Sequence, residues 1–348
     1  MALRKRFYIF FIFAVLLCNS LYSQSGKGSY TFLDLPYSAA LGGLGGENVA
    51  MQTNDLSFSM LNPALLSDAT HMLVQANYAN LGGGLNFGTL NYGHNYKDNR
   101  FAVGFHFLSY GQMQGADEYG NLTGTQFGAS DYLINLTYAR QLGSMFTIGV
   151  SLKPLFSFYE SYSSFALGAD VGGYFHTPDS TFQLGLTLRN VGWQLKTFYE
   201  ETNKREMLPL DLALGFNYRF KHAPIRLGLT IHDLQRWNLN YQVTNQLSSS
   251  NGFESETENV SWVDMMFRHT IFSVEIVPKS DKFYISLAYN HQRKRELQTG
   301  DGFSLSGFSL GAGVRIKQFR LAIAYAQYLR GQNLFQVSLA CDINKFLK

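Results

Sequence analysis

Cysteine, proline and charge are all scarce in this chain. Only two cysteines, Cys18 and Cys341, occur among 348 residues, so the disulfide framework of a small secreted domain is excluded. Seven prolines are few for a protein made of irregular loops. Charged residues make up 15% of the chain, well under the roughly 25% of soluble domains. Long hydrophobic runs are missing too. After the first two dozen residues nothing approaches the ~18 consecutive apolar residues of a membrane helix.

What is abundant is Gly (33), Phe (29) and Tyr (21), arranged with a period of two. Residues 319–342 read "FRLAIAYAQYLRGQNLFQVSLACD". Phe319, Leu321, Ile323 and Tyr325 share one face, and Phe335, Val337, Leu339 and Cys341 share another, the pattern of strands with one apolar face. From residue 71 onward about fourteen such segments follow. Examples are Phe101-Val103-Phe105-Phe107, Phe146-Ile148-Val150-Leu152 and Phe283-Ile285-Leu287-Tyr289. The opposite face is small or polar, as in Thr147-Gly149-Ser151 and Gln183-Gly185-Thr187. A sandwich in bulk water would carry Lys and Glu there. Gly, Ala, Ser and Thr instead suit a narrow lumen, so the apolar face is expected to meet lipid. Tyr92, Tyr110, Tyr138, Phe156, Phe175, Tyr218 and Tyr328 sit at segment ends, where an interfacial girdle would lie.

Connection lengths give a second signal. "KDN" near 97, "LGS" near 142, "TPDS" near 177, "KHAP" near 221, "PKSD" near 278 and "KQ" at 317 are short turns, whereas 110–125, 193–208, 233–268 and 292–303 read as long loops. Short turns on one side and long loops on the other are the outer-membrane barrel pattern, with the short side periplasmic. The expected fold is thus all-β: a transmembrane barrel of about 14 antiparallel strands over 71–348, behind an N-terminal hatch.

"MALRKR" followed by "FYIFFIFAVLLCNS" has the basic and apolar regions of a secretory signal peptide, expected over 1–23. Leu17 before Cys18 is too bulky for a lipobox, which argues against a lipoprotein. Loss of Arg4, Lys5 and Arg6 with the signal takes the 28 basic residues to 25, against 25 acidic. A neutral mature chain gives no reason to expect nucleic acid.

Residues 24–70 break the alternation. "YTFLDLPYSAALGGLGGENVAMQTNDLSFSMLNPALLSDA" clusters glycine and carries a turn at Asn62-Pro63-Ala64. It reads as a hatch folded into the lumen, the alternative being a cap on the periplasmic mouth. Parity points Lys153, Asp170, Arg189, Asp211, Arg219, Arg226, Glu275, Arg315 and Arg320 inward, with Arg219, Arg226, Glu275, Arg315 and Arg320 toward the periplasmic end. Arginine in a partly dry lumen needs partners. The hatch carboxylates Asp34, Glu47 and Asp55 are the candidates, with solvation by pore water as the alternative.

No chemistry is visible. The eight histidines lack metal-ligand spacing, there is no GxSxG or SxxK arrangement, and "GGLGG" at 42–46 lacks the context of a phosphate loop. By parity His106 and His232 line the lumen. No catalytic residue, metal or cofactor is expected. The long loops carry Trp193, Phe198, Tyr199, Trp237, Tyr241, Phe253 and Trp262, residue types that anchor protein interfaces; packing of the loops on themselves is the alternative. "RKR" at 293–295 reads as a solvated loop or a contact with lipopolysaccharide phosphates, and Glu254, Glu256 and Glu258 as an acidic patch.

"FLDLPYSAALGGLGG" with "LNPALL" resembles the hatch of the fatty-acid-transporter-like outer-membrane barrels. "ADEYGNLTGTQFGASDY" at 116–132, "KPLFSFYESYSSFALGADVG" at 153–172 and "HDLQRWNL" at 232–239 resemble the PorV/PorQ branch of the type IX secretion system. The C-terminal "DINKFLK" departs from the pattern, since Phe346 is not the last residue. The resemblance implies a non-enzymatic outer-membrane component. It would anchor a PorZ-like surface partner beside PorU and PorV, in an attachment complex that joins secreted cargo to lipopolysaccharide. The runner-up is a transporter of small hydrophobic molecules, which would need an apolar pocket under the hatch. A third class, a barrel enzyme acting on lipid, lacks the Ser-His pair it would require.

Overall fold

Fourteen antiparallel strands close into a barrel in a computed structural model of the chain, which describes residues 30–346 apart from 118, 199–204, 240–259, 279, 298–304 and 330–331. The strands are β1 (Leu73–Gly82), β2 (Leu85–Tyr96), β3 (Asn99–Ala116), β4 (Leu122–Leu142), β5 (Phe146–Tyr159), β6 (Tyr162–His176), β7 (Phe182–Lys196), β8 (Asp211–Arg219), β9 (Ile225–Ile231), β10 (Thr270–Ile276), β11 (Phe283–Asn290), β12 (Phe308–Ile316), β13 (Phe319–Leu329) and β14 (Gln332–Asp342). β1 closes the ring on β14, in register from Leu73 opposite Asp342 to Asn80 opposite Phe335. Closure leaves no unpaired edge, which the hydrocarbon requires. The signal-peptide expectation, Cys18 included, lies outside the described residues. No described helix is long and apolar enough to cross a membrane.

The period-two pattern sets the two faces. Along β5, Ile148, Val150 and Leu152 are exposed on the outer wall, while Thr147, Ser151 and Lys153 are buried inside. The outer face of β13 repeats this with Leu321, Ile323 and Tyr325. A continuous belt of exposed Leu, Ile, Val and Phe around a barrel is a lipid-facing surface.

The expected loop at 110–125 proves to be largely strand, and the one at 193–208 begins as strand. β3 and β4 run 18 and 21 residues, where roughly 9–11 cross the hydrocarbon. Their hairpin therefore stands well beyond the membrane and turns at 117–121, where Asp117 Oδ1 accepts from the amides of Tyr119 and Asn121. Its polar Gln112, Gln114, Thr123 and Thr125 read as loop because a strand in water needs no apolar face. β7 likewise continues to Lys196 after a bulge at Arg189–Asn190 opposite Asp170.

Residues 30–72 fold inside the lumen, at the origin of the buried core. They form 3-10 turns at Thr31–Asp34, Leu56–Met60, Pro63–Leu65 and Asp68–Thr70, and a short helix α1 (Ala39–Gly43) capped by Ser38. Asn62 organises the "NPA" turn: its Oδ1 accepts from the Ala64 amide at 3.0 Å, and its Nδ2 donates to the carbonyls of Val49 (2.8 Å) and Gly173 (3.2 Å). The inward glycines of the wall are seats for this hatch. A Cβ on Gly185 would fall 1.9 Å from the Val49 carbonyl oxygen, and one on Gly172 2.0 Å from Asn62 Oδ1. The glycines that suggested a narrow lumen are there because backbone approaches backbone.

Candidate functional site: a hatch-filled lumen and an aromatic rim

The lumen is divided by polarity. At its long-loop end Leu81, Phe87, Leu108, Leu133, Leu155 and Leu334 of the wall pack against Tyr30, Phe32, Leu33, Tyr37, Leu41 and Leu44 of the hatch. Burying each such side chain stabilises by roughly 1.5–3 kcal/mol. The expectation of a small, polar lumen face is corrected here: inward Leu108 and Leu133 lie in the apolar runs Phe107-Leu108 and Tyr132-Leu133-Ile134, where alternation is hidden. Nearer the short-turn end the lining is polar. Gln75, Asn77, Thr89 and Asn91 form a ladder that reaches the hatch through Gln75 Nε2 to Asp55 Oδ1 (2.7 Å) and Thr89 Oγ1 to the Tyr37 carbonyl (3.2 Å). Tyr110 and Tyr328, assigned to the girdle, turn inward instead. Tyr110 donates to Asp131, and Tyr328 packs against the core. Their parity is that of Leu108 and Ala326, both buried.

Among the described residues, four arginines fasten hatch oxygens to the barrel, and Arg226 lies 2.8 Å from the Met51 sulfur. Arg293 donates to the Gly45 carbonyl at 2.8 Å and lies 3.7 Å over the Tyr328 ring. Arg189 pairs with Glu47 at 2.7 Å and with Asp211 through Nε at 2.9 Å. Arg320 donates to the Asn54 carbonyl at 2.6 Å. Arg100 reaches the Leu66 carbonyl at 3.3 Å and Asp68 at 3.1 Å. Glu47 thus meets a wall arginine, but not one of the four grouped with Glu275 at the short-turn end. Asp55 caps the Leu56–Met60 turn, and Asp34 ends the first 3-10 turn. Within the expected network Arg226 pairs with Glu275 at 3.0 Å. Arg219 instead bonds exposed Asp281, and Arg315 the Ser280 carbonyl, both in the β10–β11 turn. Of "RKR", Arg293 is engaged with the hatch, while Arg295 pairs with Asp264 and stays partly exposed.

Hatch carbonyls supply what their charges do not, so Arg320→Glu should set a carboxylate against the Asn54 oxygen. At least a fivefold faster tryptic cleavage of the hatch in assembled barrels is expected; an unchanged rate would refute the clamp.

Lys153 and Asp170 form a further ion pair at 2.6 Å, with side chains 1% and 0% exposed. Asn190, on the β7 bulge, accepts from Lys153 at 3.0 Å and donates its amide to Asp170 at 2.8 Å. The bulge is therefore held by the pair it faces. His106 is buried with its ring 4.9 Å from Tyr37, and its ring nitrogens find no hydrogen-bond partner among the described residues. His232 bonds Asp233 at 3.3 Å. No cluster of three metal-ligating side chains occurs among the described residues.

The aromatic loop candidates separate. Trp193 lies within β7 on the outer wall, because the bulge at Arg189–Asn190 reverses the parity that follows it. Phe198 stacks on Tyr159 at 4.9 Å. Trp237 and Trp262 come together at the rim, stacked at 6.0 Å, with His269 on Trp237 at 5.2 Å. Tyr199, Tyr241, Phe253, Glu254, Glu256 and Glu258 lie outside the described residues. Missed by sequence was the hub at Asp264 in helix α2 (Trp262–Arg268), which accepts from Arg268, from Arg295, and from His291 at the start of helix α3 (His291–Leu297). Burial opposes ionisation of Asp264, but these three partners outweigh it and hold its carboxyl at about 2.

No protein-family model matches the chain, and no curated protein matches it. Solved structures do. The toluene transporter TodX of Pseudomonas putida aligns over 88% of this chain and 97% of its own with 12% identity and a TM-score of 0.52. A deltaS2 mutant of TodX, described as a monoaromatic hydrocarbon channel, aligns over 88% and 98% with 13% identity and a TM-score of 0.55. At such identity the likeness is one of fold: the chain is a fourteen-stranded barrel of the outer-membrane type.

Proposed function

We propose that this protein is a closed, non-enzymatic outer-membrane scaffold whose long-loop face holds a surface component of a type IX secretion attachment complex. The observation that supports it best is the filled lumen. Hatch side chains occupy the apolar half, and a polar ladder and four arginines hold the other contacts. The sequence resemblance over 116–132, 153–172 and 232–239 favours a PorZ-like partner, beside PorU and PorV.

A second reading has its own support. TodX, similar in fold, is a toluene transporter, and the upper lumen is apolar as a hydrophobic ligand would require. The fold comparisons weigh toward this channel for small hydrophobic molecules; the packed bore weighs toward the scaffold. Affinity purification of the tagged barrel from gently solubilised outer membranes, followed by mass spectrometry of proteins and lipids, separates them. A large exported surface protein in stoichiometric amount is the expected result. A barrel carrying only fatty acid or aromatic hydrocarbon would transfer the assignment to the channel.

A further inference from the structure

Helix α2 sits between the rim and β10, and its two faces differ. Asp264 turns toward α3 and is tied there to His291 and Arg295, Arg268 pairs with it within α2, and Met265 is buried. Trp262 and Val263 are 64% and 52% exposed, Phe267 is exposed and Met266 half-exposed. Positions 262, 263, 266 and 267 form one stripe on a helix, and all four are apolar. For a water-facing loop this is a costly arrangement, with neither charge nor amide on the exposed side.

What covers the stripe is indicated by where it leads. The Phe267 ring lies 6.2 Å from Phe272, an outward residue of β10, whose outer face continues through Val274 and Ile276. The exposed face of α2 is therefore an upward extension of the lipid-facing wall. Trp237 stacks on Trp262 beside it, and exposed Leu234 bonds through its amide to the Leu212 carbonyl at the top of β8. Long loops face the exterior in barrels of this type, so the stripe lies at the level of the outer leaflet. Trp at the headgroup boundary and Phe and Val beneath it are the residues an interfacial helix presents.

We infer that α2 is seated in the outer leaflet, its Trp262–Val263–Met266–Phe267 face buried in lipid at the acyl boundary. The Asp264 hub serves this seat by fixing the helix's rotation, since His291 and Arg295 of α3 hold its polar side toward the barrel. Some of the aromatic surface of loop 232–269 is thus committed to membrane and not to a protein partner.

The test uses the full-length barrel in liposomes with Trp193→Phe and Trp237→Phe, leaving Trp262 as the sole tryptophan, and heat-modifiable gel mobility as the check on folding. Quenching of Trp262 by lipids brominated near the headgroup should exceed quenching by aqueous iodide at least threefold, and Val263→Asp should reverse that ratio. Stronger quenching by iodide in the parent protein would overturn the seat. So would a Trp262 that is iodide-accessible in liposomes and becomes shielded only when solubilised surface proteins are added, which would give the face to a protein partner.

Discussion

Replacing Gly185 with valine is expected to leave the barrel assembled but its bore open. The added Cβ would stand 1.9 Å from the Val49 carbonyl oxygen and 2.7 Å from its carbon. Both belong to backbone that has no room to yield. Asn48 and Asn217 exchange hydrogen bonds at 3.1 and 3.0 Å beside it, and Asn62 holds the same Val49 carbonyl. The wall ladder from β6 through β8 does not depend on the hatch, so strand pairing should survive and the hatch segment 47–51 should be expelled. Conductance across a planar bilayer is expected to rise at least tenfold over the parent. Gly173→Val is the matched control, because a Cβ there meets nothing within 4 Å, and it should change neither conductance nor assembly. A Gly185→Val barrel as tight as the parent would show that something other than the hatch closes the lumen.

The two predicted facets of the fold were unequally visible in the residues. Alternation such as Phe146-Ile148-Val150-Leu152 declares a strand with one lipid face, because lipid tolerates nothing polar there. Parity then aims Lys153, Asp170 and Arg189 inward without knowledge of any partner. What parity misses follows from local irregularity. The bulge at Arg189–Asn190 moves Trp193 from a presumed loop to the lipid side, and the water-exposed upper hairpin of β3 and β4 carries no apolar stripe by which to be recognised. Inward glycines are ambiguous in sequence: a narrow solvent-filled bore and a close-packed hatch both demand small residues. Only the partner atoms, the Val49 carbonyl and the Asn62 amide, decide between them. The hub at Asp264 joins residues of two loops separated by β10 and β11, a pairing that no local pattern encodes.

The largest single electrostatic effect is expected at Arg189. Its guanidinium is shared by Glu47 of the hatch and Asp211 of β8, all three in the protein interior. Removing one member of a buried ionic group typically costs about 3–5 kcal/mol, because the remaining charge is left desolvated and unpaired. Arg189→Met removes the guanidinium that both carboxylates share, so the loss should reach the upper end of that range. Glu47→Gln still leaves Arg189 paired with Asp211 and should cost about 1 kcal/mol, near a typical hydrogen-bond contribution. Urea unfolding of the refolded barrel, with hatch proteolysis as a second readout, measures both. Adding Glu47→Gln and Asp211→Asn to Arg189→Met should recover most of the loss, since the triple variant is neutral throughout. If Arg189→Met proves no worse than Glu47→Gln, the triad contributes shape and not charge. The hatch would then be held by its apolar contacts, the polar ladder and the carbonyl clamps of Arg100, Arg293 and Arg320.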